Sequence, residues 1–478
     1  MSKLKRNIVY SSILTCANYI FPLITYPYAS RVLGVANIGI CNFADSIVNY
    51  FVMFSMMGMA TIGIREIAAC NGDRARRERV FNDLFWLNGL FTVIAILALC
   101  VSVMLVPKLY TYKTFLFLGC IKIMANFFSI EWFFRGIEDF KYITDRSIVV
   151  KLLYVIGVFV FVKGPSDIVI YFFLTTSFIY LTNGIINFSY SHRYVHLRLT
   201  NVHVFSYFKP FLIIGLYTFL TSMYTSFNVA FLGFVSDVTE VGFYTTATKI
   251  FILTVSLYSA FTGVMMPRMS SLLSTGNIDE FKNKLGLSVE LLFAFGVPAA
   301  LLGGLFAPEI IRIVSGKGYE GAILPMRAIM PLMIIEGYGQ IMVIQTLMPM
   351  HKDKAILYNS VFGALLGVIL NIAIVPWLHS LGSAIVWVSS EFAILLSSQY
   401  FVHKYISMGF PLKKLLRYVL FSLPPFILCF VVRNYMESYV LNILAFLLAL
   451  AYYGWAYLFI LRLEPLRKIL RMKTVVSK

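Results

Sequence analysis

The chain has 478 residues, 59% of them hydrophobic and only 13% charged, with a formal net charge of +18 and a mean hydropathy of +0.82. No water-soluble domain of this length is that apolar, so a soluble globular fold is excluded. On a soluble protein the positive balance would point to nucleic acid; here it falls in short stretches between apolar runs, which points to membrane topology and to no nucleic-acid partner.

Apolar runs near 20 residues recur along the whole length, each long enough to cross a bilayer core. They predict an all-α integral membrane protein with about fourteen transmembrane helices, over 8–31, 38–62, 84–106, 112–133, 146–163, 167–190, 208–233, 242–266, 285–307, 324–349, 356–378, 381–402, 414–432 and 439–461. Lys3, Lys5 and Arg6 before the first run resemble a signal peptide, but thirteen further segments make an uncleaved first span the expectation. An even number of spans puts both termini on one side. With the N-terminus in the cytoplasm, inside segments hold thirty of the 40 lysines and arginines, and Arg74, Arg76, Arg77 and Arg79 are the densest group. The longest outside loop, near 308–323, has about sixteen residues. Cysteines 16, 41, 70, 100, 120 and 429 lie in or beside apolar runs without a Cys-x-x-Cys, which reads as small buried residues, not metal ligands or bridges.

The first helix carries Pro22 and Pro27 and runs to Arg31 before Leu33-Gly34. Proline removes a backbone donor and clashes with the preceding turn, so a kink or break is expected. The pattern returns two hundred residues later. Leu232-Gly233 precedes Gly242 as Leu33-Gly34 precedes Gly39; Arg65 and Arg268 each lie 26 residues past the second glycine. Asn71-Gly72-Asp73 answers Thr275-Gly276-Asn277, and Pro107 answers Pro308. Four coincidences in order argue for a duplicated unit. They divide the chain into a six-helix lobe over 1–200, a second over 201–405, and two extra helices with a basic cytoplasmic tail over 406–478. The expected shape is a V-shaped pair of bundles with a central cleft.

A charge at mid-membrane costs on the order of 2.5–3.5 kcal/mol, so each asks for a reason. Lys249 lies in the eighth span, opposite Ser46 in the repeat and next to the level of Asp45; it either snorkels to the interface or faces the cleft. Arg31 closes the first helix as an interfacial anchor or a cleft cation. Lys122, deep in the fourth span, pairs with Glu131 or Asp45 or meets a ligand. The carboxylates Asp45, Glu290, Glu336 and Glu391 are candidates for ion coupling. Trp132 to Lys141 mixes aromatics with both charges, as a surface helix or an interfacial turn would.

Several motifs fail on context. Gly316-Lys-Gly318-Tyr-Glu-Gly321 matches GxGxxG but sits between apolar helices, not in a βαβ unit. There is no Walker A, HExxH or GxSxG sequence, and His192 and His196 have no further ligands nearby, so neither a cofactor nor a metal is expected. Gly363 and Gly367 form a GxxxG suited to close packing within the chain.

With these residues in view the chain resembles the bacterial polysaccharide flippases of the Wzx type, in the multidrug/oligosaccharidyl-lipid/polysaccharide exporter superfamily. The resemblance rests on Ser30-Arg31-Val-Leu33-Gly34 leading to Gly39, Gly242 to Lys249 opening the eighth helix, Trp132 to Lys141, and Gly316-Lys-Gly318-Tyr319. It implies transfer of an undecaprenyl-pyrophosphate-linked oligosaccharide across the cytoplasmic membrane, an inward- and outward-facing cycle, a cationic central cavity, and membrane lipids and other polysaccharide-assembly proteins as partners. The lipid II flippase has arginines at places that look like Arg31 and Lys249; lysine at the second keeps the charge but loses the bidentate fork. Arg31, Lys249 and Lys122 are the expected pyrophosphate contacts, with Tyr28, Asn42, Asn49, Tyr224 and Asn228 as candidates to face the sugars. The alternatives are a cation-coupled multidrug antiporter, which would prefer an acidic cleft, a lipid II flippase, and a membrane-embedded glycan polymerase, for which the outside loops are short.

Overall fold

The computed structural model describes residues 3–70, 72–198, 202–435 and 439–457. Among them there is no strand. The principal helices are α1 (Lys3–Leu33), α2 (Val35–Met56), α3 (Arg74–Leu105), α4 (Lys113–Ser129), α5 (Phe140–Phe161), α6 (Pro165–Ser191), α7 (Phe208–Val235), α8 (Val238–Ser274), α9 (Ile278–Leu305), α10 (Leu332–Leu347), α11 (Asp353–Ile406), α12 (Leu412–Tyr435) and α13 (Tyr439–Trp455). The apolar ranges lie largely on helices, but 38–62 is broken at Met57-Gly58, 112–133 at Ile130 and 324–349 at Met330-Pro331, and 458–461 lies outside the described residues. The ranges 356–378 and 381–402 are the two arms of α11, which is broken at His379 by a φ of 49° and a ψ of −122°. By length and composition, seven helices among the described residues can cross a membrane, or nine if each of two bent pairs is one span. The chain is a multi-pass membrane protein. On α3, Leu97, Val101, Met104 and Leu105 lie exposed along one stripe, which only an apolar medium makes favourable.

Two compact units divide the chain. The first takes Met1–Leu253, Ile311–Pro325 and Gly363–Trp387; the second takes Thr254–Ile310, Met326–Phe362 and Val388–Lys478. In the first, α2 packs on α3, α4 and α7, α4 on α6, and α1 along α5. In the second, α9 packs on α10 and α12, and α12 on α13.

α1 stays helical through Pro22 and Pro27, so the expected break is not there. Each proline leaves the carbonyl four residues earlier, on Asn18 and Leu23, without its amide donor. The turn comes at Gly34, whose φ of 79° suits glycine and lets α2 begin one residue later. The stretch after α4 forms a short helix, Glu131–Gly136. Its aromatics are no interfacial belt: Trp132, Phe133 and Phe134 are buried with Phe81, Phe85 and Ile67 in one core.

Candidate functional site

α2 and α8 approach each other most closely at two glycines. A Cβ on Gly39 would overlap the Val238 carbonyl oxygen and reach 3.0 Å from the Gly242 nitrogen; a Cβ on Gly242 would overlap the Val35 carbonyl. Val35 and Val238 each stand four residues before their glycine, so the contact is reciprocal. Glycine is required at both positions because the facing atoms are backbone. One turn on, Asn42 donates from Nδ2 to the Thr245 hydroxyl at 3.1 Å, and these too are counterparts, three residues past each glycine.

This crossing borders a cavity of about 450 Å³. α1 contributes Asn18, Thr25 and Tyr26; α2 contributes Cys41, Asn42 and Asp45; Tyr154, Tyr171, Thr175 and Thr176 come from α5 and α6; Lys249 comes from α8. The lining is built to stay put. The Tyr26 hydroxyl meets Thr246 Oγ1 at 2.6 Å, and Thr25 Oγ1 meets the Tyr154 hydroxyl at 3.1 Å. α6 widens at a π-helical turn, Phe173–Phe178, which carries Thr175 and Thr176. Such turns insert an extra residue into the helical repeat and often mark functional sites.

Two lysines serve this region differently. Lys249 donates to Asn42 Oδ1 at 3.2 Å, and its ammonium stands 4.3 Å from the centroid of the Tyr26 ring. No carboxylate lies within ion-pair distance of it among the described residues. Lys122 is buried, 3% exposed, and its ammonium binds Asp45 Oδ1 at 2.7 Å and Asn49 Oδ1 at 2.8 Å. Asn49 Nδ2 closes the ring to Asp45 Oδ2 at 3.0 Å. Of the two partners expected for Lys122, the structure selects Asp45. The cavity-lining carboxylate therefore has a cation of its own, and Lys249 has none opposing it.

The other expected site residues lie elsewhere. Arg31 is exposed and donates to the Ile313 carbonyl; it is not part of the cavity lining. The Tyr28 hydroxyl is spent on the Val162 carbonyl at 2.7 Å. Asn228 is buried between the Tyr244 hydroxyl, 3.3 Å away, and Asn371, whose Nδ2 donates to it at 2.6 Å. The side chain of Tyr224 lies outside the described residues. In the second unit Glu290 pairs with Lys414 at 2.7 Å, Glu336 accepts from Gln340 Nε2 at 3.3 Å, and Glu391 is half-buried on the second arm of α11.

Sequence reasoning missed Tyr26, Thr25, Tyr154 and Asn18. It also passed over Arg146 and Lys151 as site candidates. In the structure Arg146 is buried in α5 against Ser147 Oγ at 3.0 Å, Glu131 at 3.6 Å and Asn187, and Lys151 donates to Asn18 on the cavity wall. The available signal was their position inside an apolar run.

A family profile described as polysaccharide biosynthesis protein matches residues 4–273. A protein of Escherichia coli (strain K12) named "Putative O-antigen transporter" is 26% identical over 397 residues, covering 81% of this chain and 94% of that protein. One of the same name from Shigella dysenteriae is 25% identical over 401 residues, covering 82% and 98%. The fold is similar to that of a solved structure described as "Lipid II flippase MurJ, inward closed conformation", with a TM-score of 0.74 at 15% identity over 93% of this chain and 97% of that one. An inward-facing multidrug resistance MATE family transporter of the MOP superfamily follows at a TM-score of 0.65 and 14% identity, covering 81% and 94%.

Proposed function

Because the chain belongs to the polysaccharide biosynthesis protein family, we propose that it is a flippase, not an enzyme, that carries an undecaprenyl-pyrophosphate-linked oligosaccharide from the inner to the outer leaflet of the bacterial cytoplasmic membrane for surface polysaccharide synthesis. Both termini face the cytoplasm in this reading, as the asymmetry of lysine and arginine requires. The names of the two relatives and the MurJ-like fold support it.

The observation that carries the proposal is the state of Lys249. Its ammonium sits at a cavity between helices, held by a neutral amide and a ring face, with no carboxylate paired to it among the described residues. A pyrophosphate would supply that anion through charge-assisted hydrogen bonds, which are about twice as strong as neutral ones. Moving a diphosphate and sugars through hydrocarbon unaided is prohibitive. The Thr, Tyr and Asn lining suits sugar hydroxyls, and the polyprenyl chain stays in lipid. A multidrug antiporter for cations would need net negative charge here; Asp45, the carboxylate on the wall, is already neutralised by Lys122. The duplicated six-helix lobes remain part of the proposal, and the reciprocal Gly39–Gly242 contact supports them. Glu336 and Glu391 remain the candidates for ion coupling; Glu290 holds Lys414.

The test is complementation of a strain lacking its own O-antigen or capsule flippase, scored by surface polysaccharide at matched protein level. Wild type should restore polymer, Lys249→Ala should lower it at least about tenfold, and Lys249→Arg should retain most of it, since charge is the requirement. Wild-type polymer from Lys249→Ala would remove the site. Rescue of a strain depleted of its lipid II flippase, instead of the polysaccharide strain, would change the cargo.

A further inference from the structure

We infer that the second unit holds a separate binding site for a phosphate-bearing lipid headgroup, in the cavity between the start of α9 and the α11–α12 connection. This cavity measures about 850 Å³. Its rim carries Lys282 and Lys284 on the first turns of α9, and its wall carries Lys414 on the first turn of α12. Two carboxylates share the space, and each is engaged. Glu280 binds Arg268 at 2.8 Å, and Glu290 binds Lys414 at 2.7 Å. Lys282 and Lys284 make no ion pair among the described residues. The uncompensated charge of the cavity is therefore positive.

The rest of the lining fits a lipid better than a free ion. Leu287, Ile406 and Met408 form an apolar side next to the lysines, so a headgroup could set its phosphate on the ammonium groups and its glycerol esters on the aliphatic wall. The wall is also fixed in place. Ser407 adopts a left-handed φ of 54°, its amide donates to the His403 carbonyl at 2.8 Å, and Gln399 Nε2 donates to the Met408 carbonyl at 2.7 Å. Gly286 leaves room for the Lys414 ammonium, 3.7 Å from where a side chain would begin. The cavity sits at helix ends, which is headgroup depth, and the basic-residue asymmetry assigns those ends to the inner leaflet, where anionic lipids gather on juxtamembrane lysines. Bilayer phospholipid and the polyprenyl pyrophosphate carrier share this chemistry. The site does not depend on the Lys249 cavity.

The experiment places the full chain in phosphatidylcholine nanodiscs and titrates in phosphatidylglycerol in one arm and undecaprenyl pyrophosphate in the other. Native mass spectrometry then counts retained lipid. Wild type is compared with Lys282→Ala/Lys284→Ala and with Lys413→Ala, a neighbouring lysine outside the cavity. The double variant should weaken retention by roughly tenfold, each surface lysine contributing a few-fold, with melting in phosphatidylcholine alone unchanged; Lys413→Ala should have a smaller effect. Loss in the phosphatidylglycerol arm supports a site for bilayer lipid, and loss confined to the second arm supports one for the carrier. Equal retention by wild type and double variant in both arms overturns the inference.

Discussion

Lys122 and Lys249 lie against the same helix, α2, yet they are held in opposite ways. α2 offers Lys122 an aspartate and an asparagine, at positions 45 and 49, one helical turn apart. It offers Lys249 only Asn42, nearly one turn earlier. One lysine is consumed by the fold; the other is the one the proposed function leaves for a ligand. The comparison teaches that a count of intramembrane cations says nothing about how many are available; the partner on the facing helix decides.

The sharpest way to break this comparison is to remove the partner. Asp45→Ala leaves Lys122 charged, buried and unpaired, and removing one member of a buried pair costs about 3–5 kcal/mol. Because Asp45 is itself about one-third exposed, at 34%, the lower end is expected. It should appear as a large loss in denaturant midpoint in detergent. Asp45→Leu with Lys122→Met removes both charges and should recover most of that loss. If the double variant is no better than the single one, the pair is not structural and Lys122 belongs with Lys249.

The glycine crossing gives the next effect. Alanine at position 39 must push against the Val238 carbonyl, and alanine at 242 against that of Val35. Neither neighbour is a flexible side-chain tip, so each substitution should cost about 1–3 kcal/mol, as overpacking does. Reciprocity makes a sharper demand: the two losses should be similar, and Gly39→Ala with Gly242→Ala should be less than additive, because the first displacement already separates the helices. Additive losses in thermal unfolding would mean two independent contacts.

Lys249→Ala comes third in stability. A lysine held by a neutral amide and a ring face contributes only about 0.5–2 kcal/mol through its cation–π contact. Its removal should leave the melting temperature within a few degrees while transport collapses. That separation distinguishes it from Asp45→Ala, where folding fails first.

Much of this was legible before any coordinates. The helical class and the broad placement of the helices follow from apolar run lengths. Glycine spacing set Gly39 beside Gly242 as counterparts; that the two meet in space is a finding of the structure. What sequence left open was facing. Tyr26 lines the cavity while Tyr28, two residues on, turns to Val162. Residues two apart point about 200° apart on a helix, so only one can face a given side. Prolines at 22 and 27 prevent that phase from being counted along α1. Long-range choice was equally closed: Lys122 and Asp45 are 77 residues apart, and Glu131 satisfied the same charge rule. The aromatic run at Trp132 misled for a third reason. Composition cannot tell a belt facing headgroups from a core packed under a short helix.

Arg31 supplies the smallest effect and the most informative contrast. It shares a charge with Lys249 and stood beside it in the expected site, but the structure gives it an exposed position and a backbone acceptor, the Ile313 carbonyl, next to Gly316. A charged donor on one exposed carbonyl contributes about 1 kcal/mol or less. Arg31→Ala should therefore shift melting only slightly and lower surface polysaccharide a few-fold, through the end of the helix Ala307–Ser315 that it holds. Gln at this position, which keeps a donor without the charge, should behave much like wild type. If Arg31→Ala and Arg31→Gln both abolish polysaccharide as completely as Lys249→Ala, charge at position 31 is what the cargo reads. The cationic site would then extend from the cavity to the end of α1 instead of resting on one lysine.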